Sequence, residues 1–143
     1  MTFWRLHYHI TWATFEREPA LIADREKIFY GVLYKKAWEM ELIVHAAGYV
    51  EDHVHIVASI PPKLAVAECV RQMKGASAFA INRMPGGDGK FQWQAGYGAL
   101  SVSERLLPVV MAYANHQKEH HRKNRCVPLY EKSDDEDEAS GEK

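Results

Sequence analysis

Residues 4–12 alternate without a fault, with Trp4, Leu6, Tyr8, Ile10 and Trp12 on one side and Arg5, His7, His9 and Thr11 on the other. Period-two alternation of this length specifies a β-strand with one face against a core, and the rest of the chain must supply that core. Pro19 opens a helix-like stretch to about Met40, in which Leu21, Ile22, Ile28, Phe29, Val32, Leu33 and Trp38 recur at helical spacing. A proline near the start suits a first helical turn. Residues 42–49 read as a second strand, and Glu51-Asp52 makes a tight connection to a third, residues 53–60. That strand stops at Pro61-Pro62, because proline cannot extend a ladder.

A second helix is predicted from Leu64 to about Asn82, followed by a Gly- and Pro-rich loop over residues 84–89. Residues 91–102 read as a fourth strand, where Gly96 and Gly98 suggest a bulge or a close backbone approach. A last helix begins at Ser103, a good N-cap, or at Pro108, and runs to about Asn124. The order strand, helix, strand, strand, helix, strand, helix matches the ferredoxin-like split unit. The expected fold is therefore α+β: an RRM- or palm-like antiparallel four-stranded sheet, two helices on one face, the other face free, and an extra C-terminal helix.

A chain of 143 residues with 47% hydrophobic content buries one sizeable core, so a single domain over residues 1–132 is expected. No apolar run approaches the roughly 18–20 residues of a membrane span, and the N-terminus lacks the pattern of a secretory signal. A cytoplasmic location with no membrane partner follows. Cys69 and Cys126 have no ligand-like spacing and read as thiols rather than a disulfide. The net charge of −1 hides a segregation, since Asp134, Asp135, Glu136, Asp137, Glu138 and Glu142 stand against Lys143 alone. Residues 133–143 read as a disordered acidic tail, and the remainder is net basic, as a nucleic-acid partner requires.

His53, His55, Val57 and Ser59 share one face of the third strand, while Val54, Ile56 and Ala58 share the other. The histidine pair is either a metal site or two polar residues on a half-exposed strand. In a ferredoxin-like sheet the first and third strands are neighbours, so a cluster of four histidines with His7 and His9 is a rival. On the last helix Leu106, Val110, Tyr113 and Gln117 follow one stripe. Periodicity alone makes Tyr113 the next core residue, yet the stripe runs on into Gln117, His120 and His121, where a buried face should stay apolar. His116, His120 and His121, beside Lys118, Arg122, Lys123 and Arg125, read as a basic helix end facing DNA.

Several segments taken in order resemble one family. They are Glu51-Asp52-His53-Val54-His55-Ile56, Ser59 to Leu64, Met73-Lys74-Gly75-Ala76-Ser77, Phe91 to Gly98, Tyr113 to Gln117, and Glu119 to Lys123. The chain is similar along nearly all its length, to about residue 130, to the single-tyrosine HUH transposases of the IS200/IS605 group, to which REP-associated tyrosine transposases are close relatives. The resemblance implies that His53, His55 and Gln117 hold a divalent ion, Mg or Mn. It implies that Tyr113, on the C-terminal helix, attacks a phosphate of single-stranded DNA to give a 5′-phosphotyrosine and a free 3′-hydroxyl. It further implies hairpin-bearing element ends as substrate and a homodimer whose tyrosine helix completes the partner's site, for which a hinge at Pro108 would serve.

Lys74, Arg122 and Lys123 are the candidate phosphate contacts, and Trp93 and Tyr97 the candidate base-stacking residues, although both aromatics share a strand face and suit a core equally. A non-catalytic module that binds single strands through aromatics, or a host enzyme that processes palindromic repeats, are the alternatives to a transposase.

Overall fold

The computed structural model describes residues 2–122 and 126–133. The acidic tail, the boundary expected at residue 133 apart from Ser133 itself, and Lys123 lie outside the described residues. Four strands, β1 (His7–Ala13), β2 (Ile43–Val50), β3 (His53–Ser59) and β4 (Gly98–Val102), form one antiparallel sheet in the order β2-β3-β1-β4. Helices α1 (Arg25–Glu39) and α2 (Val66–Asn82) pack side by side on one face, as the ferredoxin-like order requires. Three shorter helices follow: α3 (Leu107–Asn115), α4 (Gln117–Arg122) and α5 (Pro128–Glu131). No described helix is long and apolar enough to cross a membrane.

The main core lies between the sheet and α1/α2. Ile10 and Trp12 of β1 and Val54, Ile56 and Ala58 of β3 meet Phe29, Leu33 and Ala37 of α1 and Cys69, Val70, Met73 and Ile81 of α2. The buried positions of α1 recur every four residues, so they form one stripe. Trp38 and Ile22 lie off that stripe and are 83% and 51% exposed, contrary to the sequence reading. The helix also begins at Arg25 rather than Pro19, because Ala23 and Asp24 take positive φ and the Leu21 N–H is used by Glu51 O.

The fourth strand is shorter than expected. Phe91 and Trp93 enter the core from an irregular segment in which only Trp93 bridges to Thr14. The Lys74 ammonium draws the carbonyls of Gln94 and Gly96 to itself at 2.7 and 2.9 Å, and Gly96 takes φ +89°, so regular pairing stops here although Gln94 N still donates to Ala13 O at 2.8 Å.

The second face of the sheet is not free. Val110 and Ala114 of α3 pack on Ala46 and Val57 to make a second core, and every residue of β3 is buried. Burying a valine fully is worth about 1.5–3 kcal/mol, so Val57 and Val110 alone give α3 a firm seat. Gly48 permits the close approach: a Cβ there would lie 1.6 Å from Ala114 O.

The last helix is also broken. Ser103 caps a single 3-10 turn by accepting from Leu106 N at 3.2 Å, and Pro108 then sits harmlessly in the first turn of α3. At His116 the path leaves α-helical geometry. The Gln117 side-chain amide donates to Tyr113 O at 2.9 Å, taking the carbonyl that a continuous helix would give to the Gln117 backbone.

Candidate functional site

The site forms where β1, β3 and the C-terminal helices meet. His53, the first residue of β3, donates from Nδ1 to Asp52 Oδ1 at 2.6 Å, which turns its Nε2 toward the site. His55 is fully buried, and its Nδ1 lies 2.8 Å from His9 Nε2 and 3.2 Å from Thr11 Oγ1. The Thr11 hydroxyl also reaches Tyr130 O at 3.2 Å. His55 Nδ1 is thus engaged within the sheet, and its Nε2 faces the site.

Both Nε2 atoms point at Glu131 of α5, with His55 Nε2 at 2.6 Å and His53 Nε2 at 3.3 Å from Oε2. The other oxygen, Oε1, accepts from Tyr113 Oη at 2.8 Å and lies 3.2 Å from His121 Nε2. Tyr113 is 6% exposed, and its hydroxyl accepts from Val127 N at 2.9 Å. Its ring centre is 5.8 Å from that of His55 within the same chain. Gln117 lies over the rung where Gly48 pairs with His55, its Cγ being 3.3 Å from where a Gly48 Cβ would stand.

The electrostatics follow from burial and from this carboxylate. Desolvation favours the neutral forms of His55, and of His9, whose pKa is lowered to about 3. Burial also disfavours a charged His53, but the carboxylates of Asp52 and Glu131 outweigh it and raise its pKa. The paired imidazoles hold Glu131 far below the usual carboxylate range despite its burial, and burial together with Glu131 keeps the Tyr113 phenol strongly protonated.

The donor set fits a cation. His53 Nε2, His55 Nε2, Glu131 Oε2 and Gln117 Oε1 are buried polar atoms without a well-aligned hydrogen bond, and the ligand atoms of His53, His55 and Glu131 lie within 4.8 Å of one another. Imidazole nitrogens facing a buried carboxylate at 2.6 Å need positive charge between them, supplied by a proton or by a cation. The Asp52–His53 and His9–His55 contacts supply the outer-shell hydrogen bonds that metal-binding imidazoles ordinarily make.

A family model described as "Transposase IS200 like" matches residues 2–117. The chain belongs to the IS200-like transposase family. It is 28% identical over 126 residues to the ISDra2 transposase TnpA of Deinococcus radiodurans, covering 81% of this chain and 88% of that one. It is 27% identical over 124 residues to the transposase for insertion sequence element IS200 of Salmonella typhimurium, covering 82% and 80%. Among solved structures, a putative transposase from Deinococcus radiodurans superimposes with a TM-score of 0.61 at 25% identity, over 88% of this chain and 95% of that one. A REP-associated tyrosine transposase bound to a REP hairpin superimposes with a TM-score of 0.65 over 90% and 78%; at 12% identity it shows the shared fold.

The structure places the other sequence-predicted residues as follows, and departs from expectation at Trp93, at the face of the histidine pair and at His121. Trp93 is a core residue, 7% exposed, donating to Ser77 Oγ at 2.9 Å and packed edge-on against Trp12, Phe29 and Phe91, so its ring is not offered to a base. The Lys74 ammonium is committed to the Gln94 and Gly96 carbonyls. Tyr97 is half-buried and lines a cavity of about 410 Å³ beside His9, Thr11 and Tyr130. Arg122 closes α4. The histidine pair faces a covered site rather than an open sheet, because α3 and α5 lie over it. The four-histidine cluster does not form: His9 reaches His55, whereas His7 bonds Ser59 and Glu104. His121, read as part of a DNA-facing end, turns inward to Glu131.

Glu131 itself was not foreseen. It lies beyond the span of the family model, and no local pattern connects a single glutamate after Pro128-Leu129-Tyr130 with a histidine pair on a distant strand. The available signal was weak: a proline-started turn bearing one acidic residue.

Proposed function

We propose that the transposase cleaves and rejoins single-stranded DNA at insertion-sequence ends, using Tyr113 as nucleophile and a divalent cation, Mg or Mn, held by His53 and His55 with Glu131 and Gln117 as the oxygen donors. The observation that carries this reading is the Glu131 carboxylate, which meets the two imidazoles on one oxygen and the Tyr113 hydroxyl on the other. Two imidazoles with oxygen donors suit manganese more readily than magnesium. A bound cation would neutralise charge developing on the scissile phosphate.

In the cleavage step the Tyr113 oxygen bonds to phosphorus, the bond from phosphorus to the 3′ oxygen breaks, and that oxygen takes a proton to leave as a 3′-hydroxyl. The phenolic proton departs as the oxygen attacks. The contacts from Val127 N and Glu131 aim the phenol while it is protonated. Rejoining reverses the exchange when a 3′-hydroxyl attacks the phosphotyrosine, so no external energy source is needed. The reading includes hairpin-bearing ends, a cytoplasmic enzyme and a homodimer. The nearness of Tyr113 to His55 of its own chain supports chemistry in cis. The burial of Trp93 counts against a purely aromatic binding module.

His55→Ala tests the reading: manganese-dependent cleavage is expected to fall to background while DNA binding persists at low salt. Full cleavage by that variant would refute it. His9→Ala should weaken manganese binding about 10–100-fold in calorimetric titration, the scale for losing an outer-shell partner. His9→Gln, which can still hydrogen-bond to His55 Nδ1, should recover part of the loss; equal binding by all three proteins would mean that His9 does not support the metal.

A further inference from the structure

The side of Glu131 turned away from His53 and His55 is itself furnished with metal-ligating atoms. The ligand atoms of His121, Cys126 and Glu131 lie within 4.8 Å of one another. His121 Nε2 stands 3.2 Å from Oε1, the oxygen that the histidine pair does not use. We propose that His121, Cys126 and Glu131 form a second cation site, for a soft divalent ion of the zinc class, sharing the Glu131 carboxylate with the first.

The chemistry of the donors makes the choice of ion. A thiolate with an imidazole and a carboxylate is a zinc-type set, whereas Mg takes oxygen donors almost exclusively. Donors around a tetrahedral zinc at the usual bond lengths lie roughly 3.3–3.8 Å apart, so a small rotation of side chains closes the present set. His121 keeps 34% of its side chain exposed, which leaves an entry path and freedom to rotate. Cys69, in contrast, is sealed in the main core with no exposed surface and joins no group of metal-ligating side chains among the described residues.

The three residues also follow one another at even intervals in a short stretch beyond residue 117, where the family model ends. The second site thus lies in the segment beyond the span of the family model. An ion there would tie α4 to α5 and hold Val127 and Glu131 in their contacts with the Tyr113 hydroxyl.

The test is a titration of the full-length, chelator-stripped protein with Co²⁺ as a spectroscopic probe and Zn²⁺ by competition. The wild type should bind two equivalents and show a thiolate-to-cobalt charge-transfer band in the near ultraviolet. Cys126→Ser should abolish the band and one equivalent, and His121→Ala should weaken zinc binding by more than the roughly 10–100-fold typical of outer-shell losses. Cys69→Ser should change neither, and His55→Ala should retain the band. Neither Cys126 nor His121 is a core residue, so circular dichroism should report folded variants. Absence of the band in the wild type, its survival in Cys126→Ser, or its loss in His55→Ala would each overturn a separate second site.

Discussion

Tyr113→Phe is expected to lower strand cleavage by about 10⁴-fold or more, the scale on which removal of a covalent nucleophile acts. Affinity for single-stranded DNA should be nearly unchanged. The substitution keeps the ring, which packs edge-on against His55 at 5.8 Å and Tyr130 at 5.1 Å between centres. What it removes is one oxygen whose hydrogen bonds include one to Glu131 and one from Val127 N. Their loss costs about 1–3 kcal/mol of stability, so the variant should fold and its melting temperature should fall only modestly. A Phe variant that still nicks DNA at the wild-type rate would mean that Tyr113 is the core residue its periodicity alone predicts.

Gly48→Ala should damage the molecule more than any other addition of a single methyl group to β2. The new Cβ would lie 1.6 Å from Ala114 O, a backbone atom of the helix that carries Tyr113, and 3.3 Å from Gln117 Cγ. Backbone cannot rotate away as a side chain can, so α3 must lift off the sheet or the strand must bend. The expected cost is about 3 kcal/mol, at the upper end for overpacking, which corresponds to a fall of roughly 6–12 °C in melting temperature. Cleavage should fall further than stability alone dictates, because lifting α3 withdraws Tyr113 and Gln117 together from the rung that bears His55. A stable, fully active Gly48→Ala protein would show that α3 need not sit where the structure has it.

These two results bear on what the amino-acid sequence discloses. The alternation of residues 4–12 and the Val/Ile-rich run at residues 53–60 identified the two central strands, because burial of one face leaves a period-two imprint. The facing of His53 and His55 away from Val54 and Ile56 followed from the same rule, as did the neighbouring of β1 and β3 from the order of elements.

What stayed hidden depends on pairs of residues far apart. The covering of the second face rests on Val57, Ala46, Val110 and Ala114, small apolar groups scattered among polar ones, and on the missing side chain of Gly48. None of these forms a pattern until α3 is docked. The break at His116 arises from a side-chain amide capturing a carbonyl, which helical periodicity does not register. Trp93 and Phe91 looked like alternating strand residues, yet the Lys74 ammonium holds the neighbouring carbonyls out of the ladder. Glu131 gave the least warning of all, since its importance lies entirely in three-dimensional convergence with His53, His55 and Tyr113.

A covalent exchange at Tyr113 would leave a protein–DNA linkage whose position can be mapped. The protein would be incubated with manganese and single-stranded DNA carrying the hairpin-bearing element ends, labelled separately on either side of the scissile phosphate. A denaturing gel and mass spectrometry of the digested adduct would then follow. The account predicts an adduct on the Tyr113 peptide that retains the downstream strand through its 5′-phosphate, with the upstream strand released bearing a free 3′-hydroxyl. Cleavage without an adduct, an adduct on another residue, or linkage through a 3′-phosphate would contradict it.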